Sequence, residues 1–415
     1  MELIVKNIKI LAQVEDTIKK TVSGPSIKTV PTIEDAWLYV KDGLIEDFGK
    51  MEEFPSDLLN LESVDASDRI VLPAWVDSHT HLVFAGTRES EFVDKINGLS
   101  YAEIAKRGGG ILNSAGRLQQ TSEQELLEQT LVRAEQIMSM GTGTVEIKSG
   151  YGLTLKDELK MLRVAKRVGE ETALNVKTTF LGAHAVPKNY SKEDYLDLVI
   201  KDMIPQVAEE KLAEYCDVFC EDGFFSQDET ERVLKAALEY GLKPKVHANQ
   251  LNFSGGVQVG VKCGAVSVDH LESSGDEEIK VLKGSNTIPT LLPGAAFFIR
   301  TSYPPARDMI EAGLPVALAT DFNPGSSPTG NMNFMMSLAC VQMRMTPQEA
   351  INAATINAAA ALEMSHEVGS IARGKKADFI ITEKIPSLDF IPYNYAHNPV
   401  YNLYLKGEKV IQNER

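Results

Sequence analysis

The chain has 415 residues, 43% of them hydrophobic, which suits one large catalytic domain with a smaller one beside it and excludes a largely disordered protein. Lys and Arg number 42 against 58 Asp and Glu, and the resulting net charge of −16 excludes nucleic acid or another polyanion as the main partner. No stretch approaches the roughly 18 apolar residues of a membrane helix, and the N-terminus "MELIVKNIKILAQVED" does not read as a signal peptide; a cytoplasmic protein without a membrane partner is expected.

From Met1 to about Ile70 the chain alternates in short segments such as "LIVKNIKIL" and "AWLYVKDGLIEDFG", with turn residues between them, and a small β domain is predicted. After Val71 short β-like runs alternate with longer segments of helical periodicity. The strand candidates are "IVLPAWVDSH", "GTVEIKS", "NVKTTFLGAH", "CDVFCED", "KPKVHAN", "AVSVDHL", "NTIPTLL" and "PVALATD". Segments such as "SEQELLEQTLVRAEQIMSM", "KDELKMLRVAKRVGEE" and "QDETERVLKAALEYG" place apolar residues three and four apart and acids near their starts, as helices do. Eight such units predict an α/β fold, a TIM-like (β/α)8 barrel over residues 71–370. Beyond "TPQEAINAATINAAAALEM" the texture returns to β, so residues 371–415 are expected to join 1–70 in one small β-sandwich domain built from both ends of the chain. Cys216, Cys220, Cys263 and Cys340 fit neither a disulfide framework nor a C-x-x-C zinc site and read as reduced, buried thiols.

In such a barrel the chemistry sits at the C-terminal ends of the strands, and polar residues fall there repeatedly. His79 and His81 end the first predicted strand, Tyr151 follows the second, and His184, His247, His270 and Asp321 end the third, fifth, sixth and eighth, so five of the seven histidines point at one mouth. Residues two apart on a strand share a face, so His79 and His81 can bind one ion, and a further His and a carboxylate from other strands would complete the site. Imidazole and carboxylate suit zinc or iron, and an ion that keeps a labile water makes hydrolysis the natural reaction. His366 and His397 lie outside the pattern and read as surface or packing residues; Glu221 and Asp222 read equally as site residues or as a helix-capping turn.

"PAWVDSHTH" resembles the metal-binding strand of the amidohydrolase superfamily, with Ala74 where Gly is usual, and "KVHANQ", "SVDHLE" and "LATDFNPGSSPT" resemble its fifth, sixth and eighth strand motifs. Together with "HTHLVFAGTRESEF", "EIKSGYGL" and "FLGAHAVP" they are similar to the imidazolonepropionases, the ring-opening hydrolases of histidine degradation, over nearly the whole chain. The resemblance implies one metal ion, Zn or Fe, on His79, His81, His247 and Asp321, and 4-imidazolone-5-propanoate as small-molecule substrate, opened to N-formimidoyl-L-glutamate. It implies catalytic roles for His270, which would polarise the ring carbonyl, and for Asp321, which would take the water proton as well as ligate. Arg88 would meet a substrate carboxylate, Tyr151 and His184 the ring and propanoate, and Asn323, Gly325 and Ser326 would line the far wall. Gln250 stands where related deaminase-like sites often carry a Glu proton shuttle; a carboxamide can orient substrate or water but cannot titrate.

One metal is also favoured because "CDVFCEDG" lacks the bridging Lys of two-metal relatives, while Lys148, on the second strand, reads as a charge paired with a neighbour. Tyr101 is either a substrate contact or core packing, and "RGGG" is a candidate for a loop that closes over the site. The alternatives are another amidohydrolase, such as a cytosine or guanine deaminase, and a non-catalytic scaffold derived from the barrel. Arg88 and the Tyr of "SGYG" weigh against the first, since a neutral base needs no carboxylate clamp; the four complete ligands weigh against the second. A homodimer is the expected assembly.

Overall fold

The structure, a computed structural model, describes residues 2–99, 103, 109–395 and 397–413. Tyr101, and Arg107 and Gly108 of the "RGGG" run, lie outside the described residues.

Eight parallel strands follow one another around the barrel: Trp75–Asp77, Thr142–Lys148, Asn175–Ala183, Tyr215–Cys220, Lys243–Ala248, Ser267–His270, Ile288–Leu291 and Ala317–Leu318. Nearly all their residues are buried, as expected of strands with helices outside and a packed interior within. The last strand is shorter than "PVALATD" suggests, because its end is knitted to its neighbours in other ways. The Asp77 carboxylate accepts from the Thr320 N–H at 3.0 Å and hydroxyl at 2.6 Å, Asp321 N–H donates to the His79 carbonyl at 3.0 Å, and His81 N–H donates to the Phe322 carbonyl at 2.9 Å. These bonds close the barrel between its first and eighth strands, directly beneath the residues that will form the site.

The three predicted helices form as Glu123–Ser139, Leu155–Glu171 and Gln227–Glu239. Each begins where a hydroxyl satisfies a free backbone N–H: Ser122 accepts from Glu125, Thr154 from Asp157, and Ser226 from Glu229, the last in a full capping box. That box, and not Glu221 or Asp222, caps its helix.

The two ends of the chain meet in an eight-stranded sheet. Ile70–Pro73 runs parallel to Glu2–Ala12 and antiparallel to Phe379–Thr382. A second, two-stranded sheet pairs Val14–Glu15 with Ile371–Ala372. Alternate residues such as Val5, Leu38, Val40, Val71, Phe379 and Ile381 form the core between them. The run "IVLPAWVD" is therefore two strands in two sheets, with the changeover at Ala74. Ala74 is absent from the residues with left-handed backbone, so its Cβ is accommodated where glycine is usual. All four cysteines are free; Cys216 and Cys220 are buried, whereas Cys263 and Cys340 are only half-buried, since they sit in and next to surface helices. Among the described residues no helix is long and apolar enough to cross a membrane.

Candidate active site

His79, His81 and Asp321 are fully enclosed, and single ligand atoms from each lie within 4.8 Å of one another; the same holds for His79, His247 and His270. His79 Nδ1 lies 2.7 Å from Asp269 Oδ2 and His247 Nδ1 2.9 Å from Asp217 Oδ2. An ionised carboxylate only accepts, so both Nδ1 atoms carry the proton and both Nε2 atoms are left as lone pairs. Burial holds the imidazoles of His79 and His81 well below the usual histidine range and that of His247 at about 4, so all three are neutral.

The His79 and His247 Nε2 atoms, His81 Nε2 and Asp321 Oδ1 face one another. His247 Nε2 stands 3.3 Å from His81 Nε2, and Asp321 Oδ1 stands 3.5 Å from His81 Nε2 and 3.6 Å from His79 Nε2. His79 Nε2 is buried with no hydrogen-bond partner. His81 Nδ1 also lacks a partner, so its neutral ring leaves at most one proton, on Nε2, to share among the His79 and His247 lone pairs and Asp321 Oδ1, whereas a cation would satisfy all of them together. Ligands at about 2.0–2.1 Å from a tetrahedral zinc stand roughly 3.3–3.4 Å apart, so the spacing fits a metal ion. The cluster can hold such an ion.

A network of buried charge lies beneath the site. Lys148 Nζ donates to Asp217 at 2.8 Å and Glu146 at 3.0 Å, and Lys245 Nζ donates to Glu146 at 2.8 Å, all of them fully buried. Burial disfavours the Lys148 ammonium, but Asp217, Glu146 and Asp269 outweigh it and raise its pKa. Lys148 is thus a paired charge and not a bridging ligand. Burial alone would raise the Asp217 carboxyl, yet His247 and Lys148 hold it well below the ordinary value. Glu146, Asp217 and Asp269 thus share two buried ammonium groups in one network beneath the cluster. The other group of possible ligands, His79, Glu146 and Asp269, already has both lysines on Glu146 in the place of a second cation.

A cavity of about 600 Å³ opens from this cluster, lined by His81, Arg88, Tyr151, His184, His247, Gln250, His270, Asp321, Asn323, Gly325 and Ser326. The structure therefore brings together every predicted site residue except His79, which sits just beneath the lining. His184 Nδ1 donates to the Gly150 carbonyl at 2.9 Å, and since a carbonyl only accepts, Nε2 is left as an acceptor facing the cavity. Gly150 has φ +112°, and a Cβ there would come within 2.8 Å of His184 Nδ1, so this turn needs glycine. The turn is pinned from behind by Glu158, whose carboxylate accepts the N–H groups of Gly150, Gly152 and Leu153 at 3.0, 2.8 and 2.8 Å. Glu221 does the same for the loop after Gln250, accepting from Leu251 N–H at 2.8 Å; Asp222 is exposed and neither lines the cavity. The Gln250 carboxamide has no hydrogen-bond partner among the described residues.

Arg88 is buried and its guanidinium is already paired: Nε and Nη2 donate to Glu91 Oε2 at 2.9 and 2.6 Å. Its Nη1 edge lies against Gly325, where an added Cβ would approach within 2.1 Å, so glycine is required there by close approach. The Asn323 amide is used within its own loop, donating to the Asp321 carbonyl at 2.6 Å and to Ser326 Oγ at 2.8 Å and accepting from Gly325 N–H at 2.7 Å. Ser326 Oγ donates to Asp321 Oδ2 at 3.1 Å, which turns Oδ1 toward the histidines. His270 and Asp321 have left-handed φ values of +85° and +54°, a strained backbone held by the closed barrel mouth. Burial disfavours the His270 imidazolium, but Glu272, 3.4 Å from Nδ1, and then Asp321 and Asp269 raise its pKa above the ordinary value.

Sequence reasoning passed over Asp217, Asp269, Glu91, Glu158 and Glu272. Asp217 and Asp269 carry a visible signal, an acid inside an otherwise apolar barrel strand, which must meet a buried donor. His366 is exposed, and His397 pairs with Glu383 at 2.7 Å, away from the cavity.

The sequence profile of the Amidohydrolase family matches residues 70–410. Imidazolonepropionase of Christiangramia forsetii is 55% identical over 412 residues, 99% of this chain and 100% of that one, and imidazolonepropionase of Flavobacterium johnsoniae is 54% identical over 98% and 100%. Among solved structures, E. coli guanine deaminase superposes with a TM-score of 0.76 over 100% of both chains at 16% identity, a likeness of fold alone. The chain belongs to the amidohydrolase family and, within it, to the imidazolonepropionases.

Proposed function

We propose that the chain hydrolyses the ring C–N bond of 4-imidazolone-5-propanoate to N-formimidoyl-L-glutamate, using one Zn or Fe ion held by His79, His81, His247 and Asp321. The observation that supports this reading is one cavity lined both by His81, His247 and Asp321, whose donor set suits a metal ion, and by buried Arg88. A neutral base would leave the Nη1 edge of Arg88, which Glu91 does not use, without an anionic acceptor, which is why a deaminase is the weaker reading. When bound, the metal supplies a Lewis acid and lowers the pKa of water toward neutrality.

The chain's own groups divide the remaining work. Arg88 Nη1 donates to the propanoate, a charge-assisted bond that orients the ring over the cluster. His184 Nε2 accepts a ring N–H, a neutral role suited to an imidazole that burial holds at about 3. Tyr151 packs 5.4 Å from the His184 ring, centroid to centroid, and walls the ring's edge. His270 donates to the ring carbonyl oxygen and stabilises the charge that grows there. Asp321 Oδ2, which Ser326 orients, accepts the proton of the attacking water and returns it to the departing ring nitrogen. Gln250, whose carboxamide has no partner among the described residues, hydrogen-bonds the substrate and carries no proton. Tyr151, Asn323, Gly325 and Ser326 shape the wall that fixes this pose.

Incubation of purified protein with freshly generated imidazolonepropanoate tests the proposal. Loss of its ultraviolet absorbance with matching formation of formimidoylglutamate is expected; turnover of guanine or cytosine instead would transfer the assignment to a deaminase. Four free cysteines support a reducing, cytoplasmic setting, and a homodimer is the assembly we assign on general grounds of symmetry.

A further inference from the structure

Helix Glu89–Ile96 lies along the cavity with Arg88 at its N-cap, and one helical face carries Arg88, Glu91, Phe92 and Lys95. Because Glu91 takes two of the donors of Arg88, the two charges cancel: burial pushes the Glu91 carboxyl up, but Arg88, Asn113 and the Gly110 N–H bring it below its ordinary value, so it is ionised. Arg88 therefore offers an anion one well-placed edge and no net charge. Lys95 differs. It lines the same cavity, is half-buried, and Nζ donates to the Gly325 carbonyl at 3.2 Å, on the same glycine that Arg88 Nη1 abuts. Its ammonium also lies 5.5 Å from the centre of the Phe298 ring, which Phe92 stacks against at 5.3 Å, so the stem is held over this end of the cavity. Among the described Lys, Arg, Asp and Glu side chains lining the cavity, Arg88, Lys95 and Arg300 are the cations, Arg300 being exposed, and the carboxylate is Asp321.

We propose that Lys95 is a specificity-determining residue, the source of the net positive charge that selects the carboxylate of the substrate, while Arg88, neutralised by Glu91, sets its geometry. The assignment rests on the reaction proposed above. A carboxylate seated against Gly325 would meet the Arg88 edge and the Lys95 ammonium together. Removal of Lys95 leaves the directional contact and deletes the attraction, so the loss falls on binding and not on the chemical step.

Steady-state kinetics of the metal-loaded wild type, Lys95→Met and Lys95→Arg proteins, on imidazolonepropanoate and on its uncharged propanamide analogue, test this. Lys95→Met should raise KM for the propanoate about tenfold or more with kcat nearly unchanged, and leave the amide unaffected. Lys95→Arg should restore most of the difference. An unchanged KM, or an equal loss on the amide, overturns the assignment while leaving the reaction intact. Absence of wild-type turnover overturns both.

Discussion

His247 is held by Asp217 twice over: its ring Nδ1 donates to Oδ2 at 2.9 Å and its backbone N–H donates to Oδ1 at 3.0 Å. One buried carboxylate on the fourth strand thus fixes both the tautomer and the position of a ligand on the fifth. Asp217→Asn keeps the shape but brings an NH2 group toward either Lys148 or His247. We expect metal affinity to fall 10–100-fold, measured by competition with a chromophoric chelator. Wild-type protein should carry about one divalent ion per chain, and His79→Ala or Asp321→Ala protein almost none. Two ions per chain would contradict the role given to Lys148 and Lys245.

Glu158→Gln should disturb substrate binding from behind the cavity. An amide oxygen can still accept from Gly152 and Leu153, but its NH2 then faces the Gly150 N–H, donor against donor. Gly150 carries the carbonyl that sets His184, so KM should rise several-fold with metal content unchanged. Stability should fall by about 1–3 kcal/mol, the cost of one buried donor left without a partner, as read from denaturant unfolding.

His270→Ala should retain metal, because the four proposed ligands remain, and lose turnover by about a hundredfold or more, because the donor to the ring carbonyl is gone. Gln250→Glu tests the other side of the same scheme. If Gln250 only orients substrate, the carboxylate adds an acid-limb ionisation to the profile of kcat/KM against pH and weakens binding of an anionic substrate. A faster enzyme that carries the new ionisation would show that a proton carrier was missing.

Lys375 gives a pH effect remote from the site. It is buried, donates to Ser370 Oγ at 2.6 Å and to the Val368 carbonyl at 3.2 Å, and burial, against the pull of Glu15, lowers its pKa from 10.5 to about 8. The unfolded chain therefore binds more protons than the folded one between about pH 8 and 10.5, so stability rises with pH across that window. The gain approaches about 3 kcal/mol, and the difference between wild type and Lys375→Met should track it in chemical unfolding at pH 8 and 10.

Much of this was legible in the chain itself. Strand-end histidines announced the barrel mouth, because a polar residue closing an apolar strand has few other uses, and "SGYG" and "NPGSS" marked the turns that the cavity needs. Three things were hidden. The division of "IVLPAWVD" between two sheets leaves no trace in periodicity, since both strands are buried on both faces. The partners of Arg88 and His184 are set by tertiary packing: Glu91 is an ordinary acid in a first helical turn until its helix is seen against Gly325. Lys148 reads in the chain as a charge paired with a neighbour, but only barrel closure shows that the neighbours are three carboxylates and that Lys245 joins them.

The central claim is hydrolytic ring opening, and turnover in water enriched with oxygen-18 tests it most directly. Cleavage of the ring amide bond places the water oxygen in the newly formed carboxylate and expels no nitrogen. The account predicts formimidoylglutamate with one heavy oxygen and no ammonia. Release of ammonia, or a product without the label, would contradict it.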